Sequence, residues 1–221
     1  MELNSPSAED EIYHLCSSTE DVTKINLERG DDPEYVFNSR GQKLHVHSYW
    51  PKDENLVAII VSLHGMGSHS NRPTQRYMVK KFLENGMAYI CVDFHGHGYS
   101  DGVKGMVDSP EYLLDDVFSL LKALYSEVSS VPGPKGFCLK HNVPNAPFFL
   151  MGHSMGGSTA MYVAQILSDK KQNNLLQSDQ KLSISKLFRG CLLLCPAIDI
   201  KMPPSIVVLT LDYLIVPFLY Q

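Results

Sequence analysis

Apolar residues in this chain come mostly as short unbroken runs, set apart by polar stretches that carry glycine. Residues 1–34 depart from this: they are polar, charge-rich and weakly periodic, and read as an N-terminal extension. From Tyr35 the pattern changes. Residues 35–37 and 43–50 read as two strands around the turn Asn38-Ser39-Arg40-Gly41. Leu44, Val46 and Ser48 alternate with His45 and His47, the period of a half-buried strand. Residues 56–63 form a continuous run rich in β-branched side chains, which suits a strand covered on both faces of a parallel sheet. The runs at 88–94, 147–151 and 191–195 have the same character.

Helical periodicity fills the gaps. Residues 76–85 predict a helix faced by Tyr77, Met78, Phe82 and Leu83, stopped at Gly86. A second begins after Ser109 and Pro110, with Ser109 as N-cap and Pro110 in the first turn. Its apolar face is Tyr112, Leu113, Val117, Leu120, Leu121, Leu124 and Tyr125. Residues 158–167 predict a third. Residues 129–146 read as a proline- and glycine-rich loop, and 169–185 as a polar loop or insertion. Strand and helix alternate, so the expected class is α/β with a mostly parallel sheet and flanking helices.

The strand at 147–151 runs directly into Gly152-His153-Ser154-Met155-Gly156, a G-x-S-x-G match, and a helix follows at once. That context marks a nucleophile elbow, with Ser154 as catalytic nucleophile. So sharp a turn leaves no room for a Cβ two residues either side of the serine, and Gly152 and Gly156 occupy both places. Acyl transfer also needs backbone N–H donors for the oxyanion. Met155, next after the serine, supplies one. The other is assigned to Met66 in His64-Gly65-Met66-Gly67, at the end of an earlier strand.

Composition narrows the partners. The 221 residues suit one domain, and 44% hydrophobic content is ample for a core. The net charge is -5, the pI about 6.0, and lysines and arginines form no stripe, so nucleic acid is not an expected partner. The five cysteines are odd in number and scattered; Cys91, Cys191 and Cys195 fall in strand-like runs, as buried reduced thiols would. Residues 1–10 lack the features of a secretory signal, and a cytoplasmic location is expected. The spacing of His45, His47, His64, His69, His95 and His97 fits no zinc ligand set, so neither a metal nor a cofactor is expected.

Four segments in order resemble the monoacylglycerol lipase and lysophospholipase branch of the α/β-hydrolases, also grouped as serine aminopeptidase-like. They are residues 64–67 (HGMG), 93–102 (DFHGHGYSDG), 149–157 (FLMGHSMGG) and 192–196. The resemblance implies the α/β-hydrolase fold, Ser154 as nucleophile, Met66 and Met155 as oxyanion donors, and a lipid ester as substrate. Ser68 and Pro73 depart from the family pattern, which usually has an acidic and an aromatic residue there. The implied division is an extension over 1–34, the first part of the hydrolase core over 35–199, and the start of an apolar cap over 200–221. Residues 206–220 are apolar but too short for a span of about 20 residues, and they contain Asp212 and Pro217. They read either as a cap touching membrane or acyl chain, giving peripheral membrane contact, or as a buried core helix.

In this fold the triad runs serine, then acid, then histidine. The last histidine here is His153; Asp169, Asp179, Asp199 and Asp212 are the acids after Ser154. The triad acid and base are therefore expected to be absent, with the fold truncated within the cap before its last strands. His95 and His97 are poor substitutes for the base, because their loop already serves the fold. Two alternatives remain: a non-catalytic acyl-lipid binder or interaction protein, and an aminopeptidase-type serine hydrolase.

Overall fold

A computed structural model describes residues 34–52, 56–72, 75–125, 145–168 and 184–198. The expected extension, the loop at 129–146, the insertion at 169–185 and the cap at 200–221 lie wholly or largely outside these residues. Six strands form one sheet: β1 (Glu34–Phe37), β2 (Lys43–Tyr49), β3 (Ala58–Leu63), β4 (Met87–Val92), β5 (Phe148–His153) and β6 (Phe188–Leu194). Three helices lie on it: α1 (Arg76–Glu84), α2 (Pro110–Tyr125) and α3 (Met155–Ser168). The strand order is β1-β2-β4-β3-β5-β6. β2 is antiparallel to both neighbours, and the β4-β3-β5-β6 ladder is parallel. This is the mostly parallel sheet with flanking helices that the alternation of runs predicts, and it agrees with the α/β-hydrolase fold that the resemblance implies.

Successive side chains of a strand point to opposite faces, and the unbroken runs divide accordingly. Ile59, Val61 and Leu63 of β3, with Ala88, Ile90 and Val92 of β4, join the larger core beneath α2 and α3. Ile60, Tyr89, Cys91 and Met151 join a smaller core on the other face, capped by Val79 of α1. Each fully buried Leu or Ile contributes roughly 1.5–3 kcal/mol from apolar burial, so this two-sided covering is the main force holding the central strands.

Four expectations need correction. Tyr112 is exposed, and the buried face of α2 includes Asp116 instead. The Ser109 hydroxyl bonds the Glu111 carboxylate rather than capping α2 with its oxygen. The run at 191–195 is not a buried strand: β6 is the sheet edge among the described residues, and Leu192, Leu193 and Leu194 are exposed. Cys195 is exposed for the same reason; Cys91 is buried, Cys191 half-buried, and all three are free thiols. No helix among the described residues is long and apolar enough to cross a membrane.

Candidate active site

β5 ends at His153 and α3 begins at Met155, so one residue makes the whole turn. That residue, Ser154, has φ 51°, a left-handed conformation that non-glycine side chains rarely adopt. It is held there from both sides. The Ser154 N–H donates to Leu194 O at 3.0 Å, and Ser154 O accepts from Gly157 N at 2.9 Å and Ala197 N at 3.2 Å. The Ser158 hydroxyl donates to Ala197 O at 2.7 Å, tying the start of α3 to the end of β6.

The two elbow glycines are needed for space. A Cβ on Gly152 would stand 2.2 Å from Gly156 O, and one on Gly156 would stand 2.2 Å from Leu63 O. Both obstacles are backbone and cannot swing aside. Their absence lets α3 start against the ends of β3 and β5. Met155 is the first residue of α3, so its N–H has no acceptor within the helix and lies at the positive end of the helix dipole.

The loop at 64–67 lies beside this turn. A Cβ built on Gly65 would be 3.2 Å from the Ser154 Cβ. Met66 is 58% exposed at the mouth of the site, so its side chain serves no core. His64 anchors the loop from below: its Nδ1–H donates to Gly65 O at 2.8 Å, and its Nε2 accepts from Phe94 N at 3.0 Å. This pairing uses a neutral imidazole, and burial pushes its pKa down to about 4.

Asp93 joins the same edge. Its Oδ1 accepts Ser70 N at 2.6 Å and its Oδ2 accepts Tyr99 N at 3.0 Å, so one carboxylate ties both loops to the end of β4. Burial alone would raise its pKa; the nearby His45 imidazole and these N–H donors outweigh that and hold it well below the usual range. His95 and His97 are buried within the loop at 94–100. His95 Nδ1 lies 2.7 Å from Asp116 Oδ2, and His97 Nδ1 is 3.0 Å from His95 O.

Asp116 had no signal in the sequence beyond a charge on an apolar face. It is fully buried and accepts from Asn38, Arg40, His95 N and the His95 ring. It fixes the glycine-rich loop to the β1–β2 turn. A hollow of about 150 Å³ lies beneath the 64–67 loop, bounded by Gly65, Ser68, Arg72, Met78, Met151 and His153. Ser154 is not on its wall. It is smaller than the roughly 300–1,000 Å³ of ordinary ligand pockets, so no long acyl chain fits it.

A serine with φ 51° between a parallel strand and a helix, with glycines two residues either side, has the geometry of a nucleophile elbow. The family model for serine aminopeptidase, S33, matches residues 54–217. The chain belongs to this family of α/β-hydrolases. Curated relatives that it resembles include monoglyceride lipases. Mouse monoglyceride lipase (Mus musculus) is 29% identical over 142 residues, which cover 64% of this chain and 41% of that protein. Mouse monoacylglycerol lipase ABHD6 is 29% identical over 167 residues, covering 74% and 40%. The chain thus spans less than half the length of these relatives. A solved structure from Agrobacterium vitis S4, named "Putative hydrolase", superposes with TM-score 0.54 at 18% identity, covering 84% of this chain and 62% of that one, which supports the fold alone.

Proposed function

We propose that this sequence carries the nucleophile and oxyanion portion of a serine hydrolase that cleaves carboxylic esters of lipids, monoacylglycerol or lysophospholipid. The observation that carries the reading is the left-handed backbone of Ser154 at the tip of a strand-to-helix turn. Strain of this kind persists only where surrounding structure over-determines it, and it raises the hydroxyl clear of the sheet. Ser154 attacks the ester carbonyl, and the N–H groups of Met155 and Met66 receive the oxyanion. The alcohol leaves, and water then releases the acid from the acyl-enzyme. The names of the curated relatives support a monoacylglycerol substrate.

No histidine follows His153, so the base of a triad in the order serine, acid, histidine is not among these residues. Loss of the base in a well-studied serine hydrolase costs on the order of 10⁶ in turnover. The 221-residue chain by itself is therefore expected to turn over its ester at a residual rate only. The apolar segment 206–220 is the proposed start of the cap that meets acyl chain or membrane surface, following a core over 35–199. The test is hydrolysis of monooleoylglycerol and lysophosphatidylcholine by the native protein that carries this sequence, with and without Ser154→Ala. Loss with the variant supports the reading; retained hydrolysis refutes it. An aminopeptidase reading takes support from the family's description, and equal or faster cleavage of an aminoacyl arylamide would favour it.

A further inference from the structure

Outside the proposed esterase site, one cluster has metal-ligand chemistry. His45 and His47 stand two apart on β2, so both imidazoles project from the same face. β2 pairs with β4 in the register Val46↔Val92, and Asp93 N donates to His45 O at 2.8 Å. The pairing brings a carboxylate from residue 93 beside two histidines that precede it by more than forty positions. One ligand atom from each of the three residues lies within 4.8 Å of the others.

The His45 side chain is 8% exposed, and its Nδ1 has no aligned hydrogen-bond partner, although it stands 3.4 Å from Asp93 Oδ2. Ligand atoms around a tetrahedral zinc at 2.0–2.2 Å stand about 3.4 Å apart, so this pair already has the spacing a shared ion needs. Asp93 Oδ2 accepts Tyr99 N and retains a further lone pair. The rings of Tyr35 and Tyr99 flank His45, at 5.5 and 5.2 Å between centroids, and Tyr99 is 71% exposed, which leaves a path from solvent.

We propose that His45, His47 and Asp93 form a divalent transition-metal site, and that zinc is the ion their two imidazoles and one carboxylate suit. The set is the three-ligand kind that leaves a fourth position to water. The His47 ring, its centroid 4.3 Å from that of His45, supplies the third ligand. Because Asp93 also holds Ser70 N and Tyr99 N, an ion here braces the two loops at the catalytic edge. Its role is structural and separate from ester cleavage.

The test is zinc chloride titrated into the chelator-treated native protein that carries this sequence, followed by calorimetry and thermal unfolding. One saturable equivalent and a rise in Tm are expected. His47→Gln should abolish both while retaining its circular dichroism, and His69→Ala, at an exposed histidine, should leave both intact. The visible spectrum of cobalt(II) bound to the unaltered chain gives a reading that needs no variant. An intense four-coordinate band supports the site; a weak six-coordinate one overturns it. Absence of saturable binding, binding unchanged in His47→Gln, or binding lost in His69→Ala each overturns it as well.

Discussion

Replacing Ser154 by glycine and by alanine separates backbone strain from every effect of the hydroxyl, since both variants lack it. At φ 51° a residue with a Cβ bears a clash of about 1–2 kcal/mol that glycine escapes. Glycine loses more freedom on folding, which opposes this by roughly 0.5–1 kcal/mol. Taken at their midpoints, the two effects leave Ser154→Gly more stable than Ser154→Ala by about 0.75 kcal/mol, or ~1.5–3 °C in Tm for a domain of this size. At an ordinary helix or strand position the order is the reverse. Urea unfolding of the two variants under identical conditions measures the difference. If Ser154→Ala is as stable as Ser154→Gly, or more so, the elbow is not strained and the reasoning from it fails.

Three further outcomes follow from the geometry. Gly156→Ala sets a methyl 2.2 Å from the Leu63 carbonyl oxygen, and the forced shift of α3 should cost about 1–3 kcal/mol in a denaturant titration; a neutral variant would refute the packing. Asp116→Ala leaves Arg40 without its buried partner and should cost about 3–5 kcal/mol, while Asp115→Ala, at the more exposed end of the same pairing, should cost about 1 kcal/mol or less. His64 has its pKa lowered from 6.5 to about 4, so the unfolded chain binds the extra proton first as pH falls. Its stabilisation is full above pH 6.5 and is lost between there and pH 4, to the extent of about 3 kcal/mol; a His64→Gln variant should flatten that slope in urea midpoints taken across this range. The depressed carboxyl of Asp93 acts in a separate window, with its contribution lost only as pH falls below the ordinary carboxylate range.

The elbow was legible in the sequence because its requirements are local: a buried run, two glycines two residues from a serine, and small residues after it. The strands were legible too, since a run covered on both faces has no polar positions to confuse the period. What escaped depends on pairing between distant segments. Asp116 looks like a solvent charge until Arg40 and His95 meet it from other elements. Asp93 stands far from His45 and His47 in sequence, and only the β2–β4 register brings it beside them. Leu192 to Leu194 read as core because an apolar run does not say whether its strand has a neighbour on each side, and β6 has one only among the described residues. Ser109 carries a capping signal, yet its hydroxyl is engaged by the nearby Glu111.

The central claim is that Ser154 is the nucleophile, and covalent labelling tests it most directly. The native protein carrying this sequence is treated with a fluorophosphonate, digested, and the adduct is located by mass spectrometry. A single adduct on Ser154, absent from Ser154→Ala, is the predicted result. An adduct on another residue, or ester hydrolysis that persists with Ser154 unmodified, would contradict it.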